Sequence, residues 1–214
     1  MPAQKFSFEA GGPKRVEVRW GLSGKQYEVF FDGARIGELD GAQVGSAQGA
    51  TIQLPDGSTL GVLLKKLPVA QLQVSRDGKA LPGSAGDPAT QVRTASIILY
   101  AVAIIGGGLG LVAMVTHNPT LQQLSGGGYA LFGAAIYAVL GFFTSKRSRV
   151  ALALGMGLYA LDSLFTIAGG MEATGHFNVG GLLVRAFFFY YLWRGMVGLN
   201  QLRREAATSP TPSA

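Results

Sequence analysis

The chain has 214 residues, enough for one large domain or two small ones, and it contains no cysteine. That excludes disulfides, iron–sulfur clusters, thiolate zinc sites and cysteine nucleophiles. The formal net charge is +6, yet through residue 93 eleven Lys or Arg stand against nine Asp or Glu, a near balance that argues against a nucleic-acid footprint there.

The opening "MPAQKFSFEAGGPKRVEV" lacks a basic-then-apolar pattern, so no cleavable signal peptide is expected and a later apolar stretch must direct membrane insertion. "KRVEVRW", "KQYEVFF", "ATIQL", "STLGVLL" and "AQLQVS" then alternate with period two and carry β-branched or aromatic residues. Asp32-Gly33, Asp40-Gly41, Asp56-Gly57 and Asp77-Gly78 punctuate them, and Asp-Gly suits tight hairpin turns because both residues tolerate positive φ. Residues 1–84 therefore read as a small antiparallel all-β domain, a sandwich or barrel of seven or eight strands with no convincing helical period. "VRWGLSGKQYEVFF" mixes Arg19, Trp20, Lys25, Tyr27 and Phe30 in a way that superficially suits nucleic acid, but alternation puts about half of such side chains in a core. "ALPGSAGDPATQ" (80–91) follows, and 85–93 reads as a linker.

Four apolar runs come next, near 95–116, 128–144, 150–169 and 179–198. Each approaches the roughly 20 residues that cross a bilayer as a helix. The expected architecture is thus an α+β membrane protein: the β domain, a four-helix transmembrane domain over 94–200, and a disordered tail over 201–214. Arg93, Lys146, Arg147, Arg149, Arg203 and Arg204 flank the runs on one side of a four-span arrangement, whereas "HNPTLQQLSGGG" and "GGMEATGHFN" hold no Lys or Arg. This asymmetry places both termini and the β domain in the cytoplasm. The "SKRSR" run could also meet anionic headgroups, although its role in topology suffices.

Within the spans, "GGGLGLVA" (106–113) imitates a dinucleotide loop, but no strand precedes it. Gly106 and Gly110, and likewise Ala130, Ala134 and Ala138, are spaced by four and read as close-packing helix faces. His117, His176 and Glu172 fall in the outer loops at spacings that do not suit a metal, so they read as solvated. Asp162 and Arg185 are different. Each lies about six residues inside the outer end of its span, about 9 Å deep at 1.5 Å per residue. A lone charge there costs about 2–3 kcal/mol or more, which a partner offsets. The favoured reading is an ion pair locking the third and fourth spans; the alternative is a substrate or proton site. Arg194, beside Tyr190, Tyr191 and Trp193 near the cytoplasmic end, is expected to snorkel.

The segment "LPDGSTLGVLLKK…LQVSRDGKALPGSAGDP" (54–88) and the pairing in "YALDSLF…LLVRAFFFYYLWRGM" (159–196) resemble uncharacterised bacterial integral membrane proteins with an N-terminal cytoplasmic β domain and C-terminal transmembrane helices. The resemblance implies a bacterial inner-membrane protein and carries no activity or functional residues with it.

With neither a nucleophile–base pair nor a metal cluster in view, the chain is not expected to be an enzyme or to need a cofactor. The leading expectation is a partner-binding or scaffolding protein in the bilayer, with residues 1–84 meeting a cytoplasmic protein and no nucleic acid. The alternative is a small transporter or channel subunit that uses Asp162 and Arg185 and works as a homo-oligomer.

Overall fold

Alternation decides the first ninety residues. In β2 (Val16–Trp20) and β3 (Gln26–Phe31), Val16, Val18, Tyr27, Val29 and Phe31 point one way and are buried, while their sequence neighbours point outward. Leu60 and Val62 of β6 (Thr59–Lys65) and Leu72 and Val74 of β7 (Gln71–Arg76) repeat the pattern. Together with β1 (Ala3–Phe6), β4 (Ala34–Asp40), β5 (Ala50–Gln53) and β8 (Lys79–Ala80), these strands form two four-stranded antiparallel sheets, ordered β1-β2-β3-β4 and β5-β6-β7-β8. Every strand pairs with its sequence neighbour, and neither sheet closes on itself. One hydrophobic core draws on both sheets, with Phe6, Leu39, Val44, Leu54 and Leu81 completing it. Each such side chain, once buried, stabilises by about 1.5–3 kcal/mol.

The computed structural model describes residues 1–66, 69–117, 128–174 and 179–208 and divides into two compact units, Met1–Thr90 and Gln91–Ala214.

Asp32-Gly33 and Asp77-Gly78 are hairpin turns with positive φ at both residues, +48° and +84° in the first, +48° and +79° in the second. Asp40-Gly41 is not a hairpin turn. Asp40 caps a single helical turn, α1 (Gly41–Val44), its side chain accepting from the Ala42 N–H. A short turn of this kind offers no periodicity to detect.

Two arginines, one just before β2 and one in β7, clasp Phe8. The Arg15 guanidinium lies 5.6 Å from the ring centroid and that of Arg76 lies 4.2 Å from it. Arg15 also bonds Asp32 through Nε at 2.9 Å, and Arg76 bonds Asp56 through Nη2 at 2.8 Å. On the outer face of the first sheet, Glu17 takes Arg19 at 2.6 Å and Lys5 at 3.5 Å. There Arg35 lies between Glu28 at 3.3 Å and Glu38 at 2.8 Å. Lys5, Arg19 and Arg35 are thus each paired with a carboxylate in place.

These bonds set a pH dependence. The Asp32 carboxyl is held below the usual range by its hydrogen bonds from Arg15, Glu17 by Arg19, and Asp56 by the Ser58 hydroxyl and N–H, with Arg76 adding charge. Carboxyls that are more acidic folded than unfolded stabilise fully above their unfolded pKa of about 4, and that stabilisation fades as pH falls through the lower folded values. Residues 1–90 made alone should melt cooperatively, with a midpoint level from pH 7 to about pH 5 and falling below about pH 4. Trp20 fluorescence reads the melt, and a midpoint that holds steady down to about pH 2 would contradict these bonds.

The second half is helical. α2 (Pro88–Thr116), α3 (Gly128–Ser145), α4 (Arg149–Thr174) and α5 (Val179–Thr208) carry the four apolar runs. The stretch 85–93 is not free chain. Ala85 N–H donates to Leu72 O at 3.1 Å, and α2 starts at Pro88. Asp87 accepts from Ala89 N–H at 3.1 Å and from the Thr90 hydroxyl at 2.7 Å, a cap with proline at the first helical position. The Asp-Pro pair that reads as a linker signal is here a helix start. The tail read over 201–214 is helical to Thr208, because Leu202, Arg203, Arg204, Glu205, Ala206 and Ala207 are helix formers; 209–214 lie outside the described residues.

Among the described residues three helices, not four, are long and apolar enough to cross a membrane: α2, α4 and α5. α3 falls short. Its 18 residues rise about 27 Å, just under the roughly 30 Å hydrocarbon core.

Candidate functional site

Helix α4 packs between α3 and α5, and α2 touches all three. Leu99 of α2, Leu140 of α3, Leu152 and Tyr159 of α4 and Leu192 of α5 form the shared core. Close approach comes from glycines. A Cβ on Gly107 would stand 2.8 Å from that of Ala134, and one on Gly155 would stand 3.0 Å from Leu99. Gly106 instead faces open space and Gly110 is buried; Ala130 and Ala138, like Ala134, are half-buried. Gly107, beside Gly106, thus makes the close contact with α3.

Outside, the helices carry exposed aliphatics and aromatics, among them Ile104, Val115, Phe132, Leu164, Phe165 and Leu183. This is the reverse of a water-soluble bundle.

Into this apolar surface the fold brings one polar cluster. Arg185 of α5 donates from Nη1 to Asp162 Oδ2 at 2.9 Å and to Ser163 Oγ at 3.0 Å, and from Nη2 to Thr166 Oγ1 at 2.9 Å. The two hydroxyls can accept because their own protons are committed elsewhere. Ser163 Oγ donates to Tyr159 O at 2.7 Å and Thr166 Oγ1 to Asp162 O at 2.8 Å, each one turn back along α4. One carboxylate and two backbone-oriented hydroxyls therefore hold a guanidinium whose side chain is 24% exposed, while the Asp162 side chain is 57% exposed. Tyr137 of α3 and Tyr159 lie within electrostatic reach of both charges, and the Tyr137 hydroxyl is buried with no hydrogen-bond partner among the described residues. Ser163 is the next residue after Asp162, about 100° round the helix, but Thr166 was legible in principle, being four residues beyond Asp162 on the same face. Tyr137 had no such signal.

The remaining cations lie apart from this cluster. Lys146 stands over the Phe142 ring at 5.6 Å, and Arg147 closes α3 in the left-handed region at φ +63°, its N–H donating to Thr144 O. Arg149 opens α4, Arg203 and Arg204 lie in the last turns of α5, and Arg194 stacks 6.0 Å over Tyr190. With its amide nitrogen toward the carbonyl, Gln91 meets Arg194 O at 3.1 Å and Arg194 Nη2 at 3.2 Å. His117 ends α2 with Nδ1 3.2 Å from Val115 O; His176 and the Glu172 side chain lie outside what the structure describes. Among the described residues no three His, Asp or Glu gather as a metal site would require.

What the cluster can do chemically is hold opposite charges at one level of a helical bundle. It offers no nucleophile beside a general base. Comparison with protein-family models, with curated proteins and with solved structures found no match for this chain.

Proposed function

We propose that this chain is a non-enzymatic integral membrane protein whose β unit docks a protein partner. The observation that carries the reading is the division of labour. The first unit completes a core of its own, whereas the second turns its apolar side chains outward. On the β unit, Leu22 at the β2–β3 turn is 99% exposed, beside a recess lined by Ser23, Lys25, Gln26, Glu38, Leu39 and Asp40. An exposed apolar anchor next to hydrogen-bonding groups suits protein recognition. In this reading the two sheets pack as a sandwich and α3 crosses as the second of four spans. Arg93, Lys146, Arg147, Arg149, Arg203 and Arg204 then share the cytoplasmic side of a bacterial inner membrane with both termini and the β unit.

The second reading, a small oligomeric transporter or channel subunit, draws on the Asp162–Arg185 cluster and on the Tyr137 hydroxyl, buried without a partner among the described residues.

Reporters fused after Ala214 and inserted near Ser84 should both report cytoplasm. A photo-crosslinking residue at Leu22 of the full chain should give a discrete adduct with one cytoplasmic protein, lost when Lys25 and Glu38 are reversed in charge. Signal from outside the cytoplasm at either reporter would overturn the topology, and no adduct from any exposed β-unit position would overturn the docking role. Solute flux in liposomes that vanishes on Asp162→Asn would move the weight to the second reading.

A further inference from the structure

Among the described residues the cluster is incomplete within one chain. A guanidinium has five N–H donors and Arg185 uses three of them on Asp162, Ser163 and Thr166, leaving two. The second carboxylate oxygen of Asp162, Oδ1, accepts nothing among the described residues, and this side chain is the more exposed of the pair. In water such remainders cost nothing. In a bilayer, where this inference follows the membrane reading above, lipid tails can satisfy neither.

The surroundings indicate what covers it. Leu154, Leu158, Leu161, Asp162 and Phe165 are all exposed and recur at three and four residues along α4, which makes one outward stripe. An apolar stripe at that spacing is the seam along which helices pack, and a single polar residue within it fixes the register of the pairing.

We infer that a second copy of this chain docks on the α4 stripe, with the unused Arg185 donors of each copy bonding the free Asp162 oxygen of the other. The leftover groups are self-complementary: donors and an acceptor within one ion pair of zero net charge. A two-fold axis therefore supplies to each copy what it lacks. A phospholipid headgroup would suit Arg185 but repel Asp162, and lies about 9 Å away along the helix. A foreign helix would have to carry both a donor and an acceptor at the same level.

The absence of native cysteine makes the test direct. Single-cysteine chains Phe165→Cys, Leu161→Cys, Ile104→Cys and Phe132→Cys would be oxidised in native membranes and run without reductant. All four positions are exposed, on α4 for the first two and on α2 and α3 for the others. The α4 cysteines should give a disulfide-linked dimer and the other two should not. Adding Asp162→Leu with Arg185→Leu should cut the α4 cross-link at least about tenfold while the chain stays resistant to carbonate extraction. Equal cross-linking at Ile104 or Phe132, or an α4 cross-link untouched by the double change, would overturn the inference. So would a carbonate-resistant chain with no α4 cross-link. A wild-type chain that carbonate strips away would sink the membrane reading as well, so the two failures are told apart.

Discussion

Arg185→Leu should destabilise the helical unit by about 1.5–3 kcal/mol, the range for hydrogen bonds to a charged group, because the Asp162 side chain is more than half exposed. Its guanidinium makes three bonds to α4, and the change strands the Asp162 carboxylate, while Ser163 and Thr166 keep their bonds to backbone carbonyls. Asp162→Asn should cost less, because Ser163 and Thr166 still hold Arg185 and an amide oxygen can take the place of Oδ2. Replacing both charges by leucine should recover much of the loss, since the desolvation cost goes with the charges. Thermal shift in detergent on wild type, Asp162→Leu, Arg185→Leu and the double variant, at concentrations where the chain is monomeric, gives the coupling directly. A value on the order of 1–3 kcal/mol is expected; additivity within about 0.5 kcal/mol would mean that the pair does not lock α4 to α5.

Gly195→Ala should cost about 1–3 kcal/mol, the range for overpacking a filled core, although it adds a single methyl group. The new Cβ would run into the Cβ of Ala95, with Gln91 O at 3.4 Å and a Leu152 methyl at 3.5 Å on its other sides. Ala95 and Leu152 are themselves buried, so neither can turn away into solvent. Because the clash is between two methyl groups, the reciprocal change Ala95→Gly should relieve it and return most of the lost stability. Helix propensity works the other way for Gly195→Ala, favouring alanine by about 1 kcal/mol, so a net loss isolates the packing term. A stable Gly195→Ala, or no rescue by Ala95→Gly, would show that α2 and α5 do not meet at this point.

What sequence alone discloses here follows from how local each signal is. Alternation in "KQYEVFF" and "AQLQVS" is a property of adjacent residues, and β3 and β7 lie where it places them. The turns at Asp32-Gly33 and Asp77-Gly78 are equally local, since two positive φ values need little but glycine and aspartate. Asp40-Gly41 has the same letters, yet its role depends on Val44 being buried in the core, which no dipeptide reveals. Gly106 and Gly110 have the spacing of a packing face, but Gly107 meets α3. Rotation of a helix is set by its neighbours, and a run apolar on all sides carries no record of it. Equal depth for Asp162 and Arg185 followed from counting residues. Their shared face, with Thr166 on it, needed coordinates.

The nearest-neighbour pairing of all eight strands also bears on how the protein is made. Closing a hairpin takes about 1–10 μs, whereas synthesis adds only about 5–20 residues each second. Low contact order keeps such a meander fast to fold, and no strand waits for a distant partner. The β unit can therefore reach its final form while the ribosome is still making the helices, and reversing that order by circular permutation would present unfolded strands to a membrane already occupied by the rest of the chain.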